Sequence, residues 1–230
     1  MAQLNWLDLF QGPLDVLGFV LFVFLFPVYH GLYPLLMKLL PGHATKTSFD
    51  LYRRSWIERL IERHDVLLAA QQIRNLTMVN TVLASSALIL MGFTANLLIQ
   101  MPLASEGVPG ATGWWSNPET QAAKLLLLIV IFGVAFAYCM TALRHLGHFN
   151  LVIGADPQLL DSHEGSAVDY LSGLVNRASS RYTLAVRCLF SASPVFLWLF
   201  DSRLFLILTS FWAVKFLVFQ DFHFLQRRRP

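Results

Sequence analysis

Residues 76–101 read LTMVNTVLASSALILMGFTANLLIQM, 26 positions without one Asp, Glu, Lys or Arg. About 20 apolar helical residues cross the roughly 30 Å hydrocarbon of a bilayer, and within it a helix satisfies every backbone N–H and C=O internally. This stretch therefore reads as a membrane-spanning helix, and four more lie around it. They cover residues 16–36, interrupted by Pro27 and Pro34; residues 122–143; residues 184–200, with Pro194 inside; and residues 204–222. Only Asp201, Ser202 and Arg203 separate the last two, which predicts a tight antiparallel hairpin. Composition agrees. The chain is 56% hydrophobic and 13% charged, against about 25% charged residues in a soluble domain. The fold expected is all-α: one integral membrane domain over residues 1–230, a polytopic bundle of five spans plus two cytoplasmic amphipathic helices.

The cations set the threading. Lys38, Lys46, Arg53, Arg54, Arg59, Arg63 and Arg74 fall between the first and second spans, and none falls between the second and third. Arg144, Arg177 and Arg181 occupy the next connection, and Arg227, Arg228 and Arg229 the tail. Cationic loops stay on the cytoplasmic side, so the chain reads as a multi-pass protein of the cell inner membrane, N-terminus outside and C-terminus cytoplasmic. The segment before the first span lacks the basic region of a secretory signal, and that span reads as a retained helix. The net charge of +3 points to anionic headgroups rather than nucleic acid. Cys139 and Cys188 both fall in apolar segments, without disulfide or metal-ligand spacing.

Residues 49–68 place Trp56, Ile57, Leu60, Ile61 and Leu68 at helical spacing opposite Arg53, Arg59 and Arg63. Thr47 with Asp50 suggests a capping-box start. The segment reads as a basic helix at the headgroup plane that runs on into the second span. Residues 165–182 repeat the plan: Ser166 with Asp169 as cap, and Val168, Leu171, Leu174 and Val175 as the stripe. Residues 154–164 read as an acidic loop. Trp114 and Trp115, in the loop 102–119, read as an interfacial anchor.

Polar groups inside spans are costly and mark the places to look for function. Arg74, Asn75, Thr77, Asn80 and Thr81 open the second span, most of them on one face, and could line a solute pathway. Packing between helices is the alternative, since Ser, Thr and Asn commonly bond neighbouring helices. Tyr29 and His30 lie between two prolines, where His30 could relay protons, ligate haem or simply donate to a freed carbonyl. His145 and His148 are three apart, which is a weak metal signal without further ligands. No metal or other cofactor is expected. Arg53, Arg54, Arg59, Arg63 and Arg144 are the expected lipid-headgroup contacts. Arg187 and Lys215 lie inside the fourth and fifth spans, close enough to the cytoplasmic end to snorkel; pairing of Lys215 with a carboxylate is the alternative, and none lies in the middle of a span. No nucleophile elbow, zinc-protease helix or phosphate loop is present, so the sequence carries no enzyme signature.

Tyr52-Arg53-Arg54-Ser55-Trp56, then Gln72-Ile73-Arg74-Asn75 leading into a Thr/Ser-rich span, resemble a family of integral membrane proteins of plants and bacteria catalogued as a domain of unknown function. Tyr29-His30, Arg144, Asn150, the stretch from Tyr170-Leu171 to Asn176, and Pro194-Val195-Phe196-Leu197-Trp198 carry the same resemblance in the same order. His145, His148 and the arginine tail depart from it. The resemblance implies a helical membrane fold and supplies no activity, substrate or cofactor. The functional expectation is an oligomeric channel or transporter for a small ion or polar solute. The rivals are an accessory or scaffold subunit of a membrane complex, and an enzyme using His30.

Overall fold

The computed structural model describes residues 12–29, 45–105 and 118–216. These form seven α-helices, and no strand occurs among the described residues. They are α1 (Pro13–Val23), α2 (Thr45–Arg63), α3 (Val66–Ser105), α4 (Pro118–Val152), α5 (Pro157–Glu164), α6 (Ala167–Trp198) and α7 (Ser202–Val214). A π-helical turn, Phe24–Tyr29, extends α1. Pro27 lies inside it and cannot donate to the carbonyl four residues back, which favours the wider turn. Trp114, Trp115, His30 and the Arg227–Arg229 tail lie outside the described residues.

Two helices, α3 and α4, are long and apolar enough to cross a membrane. The expected five do not all take that form. The described part of the first stretch is a short apolar helix, Pro13–Val28; the last described stretch is another, Ser202–Val214; and residues 184–198 are the second half of α6, into which the amphipathic segment 167–182 runs directly, as the repeated plan implies.

The packing has three tiers. At one end, large apolar side chains of α1, α4, α6 and α7 form the main cluster, including Phe22, Leu128, Val195, Trp198, Phe205 and Trp212. In the middle the fully buried residues are small, Ala84 of α3, Cys139 of α4 and Ala185 of α6, with Leu83, Phe136 and Tyr138 half-buried around them. Small side chains let helix backbones approach closely. At the far end Ile57, Leu60, Ile73, Phe149, Leu171 and Leu174 form a second cluster joining α2, α3, α4 and α6. The apolar stripe of α2 is thus spent on protein: Trp56 stacks on Phe149 with ring centroids 6.4 Å apart. Expected at the headgroup plane, the stripe instead packs on α4 and α6 beside Ala69 and Ile73 in the first turns of α3.

The expected run from α2 into α3 is also corrected. His64 adopts φ 51°, a left-handed conformation in which His is among the enriched non-glycine residues. Its N–H donates to Ile61 O at 3.2 Å, and Asp65 N–H donates to Leu60 O at 3.1 Å, which closes α2 as a Schellman motif. Asp65 Oδ1 then accepts from Leu68 N–H at 3.2 Å and starts α3. Two residues end one helix and begin the next. The start of α2 differs too: Thr47 lies inside the helix, and Asp50 pairs with Arg53 at 2.8 Å. Ser166 behaves as expected, its Oγ accepting from Asp169 N–H at 3.2 Å. Residues 157–164, expected as loop, form α5 because Asp156 caps it and Pro157 pre-sets its first turn.

The C-terminus of α6 is where the first tier is fixed. Its last carbonyls would be orphans. Those of Phe196 and Leu197 accept from the amides of Leu199, Phe200 and Asp201. Those of Trp198 and Leu199 accept from Lys124 Nζ at 3.0 Å and Gln121 Nε2 at 3.2 Å. The Trp198 indole donates to Asp15 Oδ1 at 2.7 Å and stacks on Phe205 at 4.6 Å. Lys124 also lies 4.7 Å from the Trp198 ring and within electrostatic reach of Asp15. Asp201 caps α7, and Trp212 donates to Ser193 Oγ at 3.1 Å, completing the expected α6–α7 hairpin.

Two outcomes follow. A methyl added at Gly18 would lie 2.8 Å from Cδ1 of the buried Phe205 ring, and overpacking of this kind costs about 1–3 kcal/mol; Gly18→Ala should lower the unfolding midpoint in detergent, with Gly12→Ala, which meets nothing, as the near-neutral control. Lys124→Met leaves the Trp198 carbonyl without its side-chain donor and takes a positive charge away from the neighbourhood of Asp15, at a cost of about 1–3 kcal/mol. The double change Asp15→Asn/Lys124→Met should recover much of that loss in a thermal double-mutant cycle.

Candidate functional site: the open flank of α3

α3 meets the bundle along one seam. Ala69, Ile73, Asn80, Ala84, Ala87, Thr94 and Met101 are buried, spaced by threes, fours and sevens as two helices packing at a shallow angle require. The other flanks are uncovered by described elements, leaving Val82, Ile89, Phe93 and Ile99 exposed. On one of these flanks lies a groove of about 510 Å³, lined by Leu67, Ala70, Gln71, Arg74, Thr77, Met78 and Thr81 of α3 and by Asn150 of α4.

The groove gathers three of the expected pathway residues, Arg74, Thr77 and Thr81. Thr77 Oγ1 donates to Ile73 O at 2.9 Å and Thr81 Oγ1 to Thr77 O at 2.9 Å, so each hydroxyl donor is used within α3 and each oxygen still has acceptor capacity. Gln71, Arg74 and Asn150 supply the other polar groups; Leu67, Ala70 and Met78 supply apolar wall. A guanidinium beside amides, with aliphatic surface next to it, suits an anionic or polar group. Asn75 is exposed outside the groove.

Asn80 goes the other way. It is 1% exposed, and its Nδ2 donates to the Cys139 carbonyl on α4 at 2.9 Å. Its Oδ1 has no partner among the described groups. Thus the polar start of α3 divides: Asn80 ties helices together, while Arg74, Thr77 and Thr81 remain accessible. Tyr29 ends the π-helical turn of α1, and its neighbour His30 is outside the described residues.

Of the expected headgroup arginines, Arg53 bonds Asp50 at 2.8 Å, Asn176 Oδ1 at 3.1 Å and Ser179 Oγ at 2.8 Å, docking α2 on α6. Arg54 pairs with Asp169 at 3.0 Å and Glu58 at 3.4 Å. Arg59, Arg63 and Arg144 are exposed. Arg187, expected to snorkel, is instead 4% exposed, and Lys215 is half-buried. Arg187 is buried over Phe216, 5.5 Å from its centroid, and Lys215 lies 4.3 Å from Trp212 and 4.9 Å from Phe190. Aromatic faces offer these cations a quadrupole in place of water.

Sequence reasoning missed Gln121 and Lys124. The signal was present: Lys124 is the lone charge of the expected span 122–143, two residues from its start, a position that needs a partner. Asp15, within electrostatic reach of Lys124, stands just before the first expected span, far away in the chain.

A family model described as "Protein of unknown function, DUF599" matches residues 17–225. No curated protein and no solved structure matches the chain. The family match covers most of α1 and all of the other described helices, and it agrees with the resemblance carried by the Tyr-Arg-Arg-Ser-Trp and Gln-Ile-Arg-Asn stretches. The chain therefore belongs to the DUF599 family of proteins of unknown function.

Proposed function

We propose that this chain is a five-span inner-membrane protein, N-terminus outside and C-terminus cytoplasmic, in which the α3 groove takes a small anion or polar solute and a second copy of the chain closes it into a pathway. The observation that carries this reading is the groove itself, with Arg74, Thr77 and Thr81 on a flank of α3 that no described element covers. Support for the membrane setting comes from the outward residues of each long apolar segment: Leu17 and Val20, Ile89 and Phe93, Val130, Ile207 and Phe211 are all more than half exposed. In water such a continuous belt would be an aggregation liability. The alternation of cationic connections supports the threading. Arg74 sits on the cationic side of α3, where a guanidinium favours anions. A groove open along its length needs a facing wall, and a symmetric assembly supplies one. Arg59, Arg63 and Arg144 are free to meet anionic headgroups.

The inward bond of Asn80 favours a second reading, in which the α3 flank is a docking face of a scaffold subunit and the groove holds a partner's side chain.

In a Cys139→Ala/Cys188→Ala background, Thr81→Cys should react with a water-soluble maleimide in native membranes, and Asn80→Cys should be protected. Anion efflux from proteoliposomes should fall at least fivefold in Arg74→Gln. Protected Thr81→Cys with tight vesicles sinks the pathway reading, and a stoichiometric partner retained in mild detergent would then favour the scaffold.

A further inference from the structure

A second cationic region lies on the opposite side of α4 from the groove. On α4, Cys139 and Asn150 face α3, while His145 turns towards α6. Arg177 and Arg181 of α6, with His148 and Arg144 of α4, all lie within electrostatic reach of His145. The spacings 144/148 and 177/181 are one helical turn, so each helix contributes one ridge. Arg181 reaches across the seam, its guanidinium 5.7 Å from the Tyr138 ring centroid. Arg177 lies back along α6 over Gly173, its Nη1 3.7 Å from where a Cβ there would sit. His145 is half-buried and the other four are exposed.

No carboxylate pairs with any of the five among the described residues. Arg53 and Arg54, nearby on α2, do have carboxylate partners. Like charges one turn apart repel, and an anion between the ridges would reverse the sign of that interaction. Three guanidinium forks and two imidazoles exceed what one carboxylate can use. They match a tetrahedral phosphate with several free oxygens and up to two charges.

The depth is informative. Arg144 lies 20 residues along α4 from Lys124, and Arg177 lies 21 residues along α6 from Trp198, about 30 Å in each case. That equals one hydrocarbon thickness from the Lys124–Trp198 clamp.

We propose that the α4–α6 seam is a phosphate-binding site, in which Arg144, His145, His148, Arg177 and Arg181 hold a phosphate group, either free or as the phosphomonoester head of a membrane lipid. The lipid source rests on the membrane threading proposed above; the anion chemistry does not.

The test titrates detergent-purified full-length protein with dioctanoyl phosphatidic acid, with inorganic phosphate and with dioctanoyl phosphatidylcholine, by calorimetry. Saturable binding of phosphatidic acid but not phosphatidylcholine is expected, with at least a tenfold weaker Kd in Arg177→Gln/Arg181→Gln and most affinity kept in Arg177→Lys/Arg181→Lys. Arg144→Gln/His148→Gln gives an independent loss from the other helix, and circular dichroism with gel filtration checks each variant's fold. The same losses should appear in an Arg74→Gln background, in which the groove lacks its own guanidinium, which separates the two sites. Binding of inorganic phosphate with similar affinity assigns the site to a free anion; binding of phosphatidic acid alone assigns it to lipid. Binding of neither, or equal binding by wild type and both Gln variants, overturns the proposal.

Discussion

The C-terminus of α6 organises this molecule. A helix end presents unpaired carbonyls and a partial negative charge, and here the end is buried beside apolar rings. Lys124 and Gln121 of α4 donate to the last two carbonyls, and Asp15 of α1 accepts from the indole of Trp198. The ammonium has three sources of compensation: a carbonyl, an aromatic face and a nearby carboxylate. Each term alone would be too small for a buried charge. Together they allow three helices to converge on one residue, and the Trp198–Phe205 stack brings in the fourth.

From that point the bundle's other properties follow. The Phe205 ring packs on Gly18, so α1 and α7 approach with no room for a methyl between them. Below the clamp the side chains shrink to Ala84, Cys139 and Ala185, and the helices close. Asn80 adds a hydrogen bond at that level. Among the described residues α3 is held by this single seam, which leaves its other flanks uncovered by them. The groove is therefore a consequence of narrow packing: a helix that buries one stripe of small residues must expose the polar residues one step around.

The cations sort by environment, and the sorting separates structure from function. Arg53 and Arg54 are bonded to acids and amides and dock α2 on α6. Arg187 and Lys215 lie over aromatic rings inside the bundle or at its seam. Lys124 caps a helix. Arg74 at the groove and the ridge of Arg177 and Arg181 have no carboxylate partner among the described residues. Charges left in this way are the ones available to a ligand.

Much of the fold was legible from local pattern. An uncharged run such as 76–101 declares a long helix, the three-residue link at Asp201 forces a hairpin, and Ser166 three positions before Asp169 marks a helix start. The break at His64 was not legible, because the left-handed turn depends on closing amides onto Leu60 and Ile61, and nothing in composition separates it from continuing helix. The stripe of α2 was visible as amphipathic; whether lipid or protein covers such a stripe is not a property of the stripe. Likewise Arg74, Asn80 and Thr81 looked like one polar set, and only the seam with α4 divided them. The amino-acid order by itself determined which long segments are helical and apolar, since periodicity and apolar length act over a few turns. Tertiary structure alone decided what each polar side chain meets: Trp198 and Asp15 stand 183 residues apart, and the free energy of a buried charge depends on partners brought together from that distance.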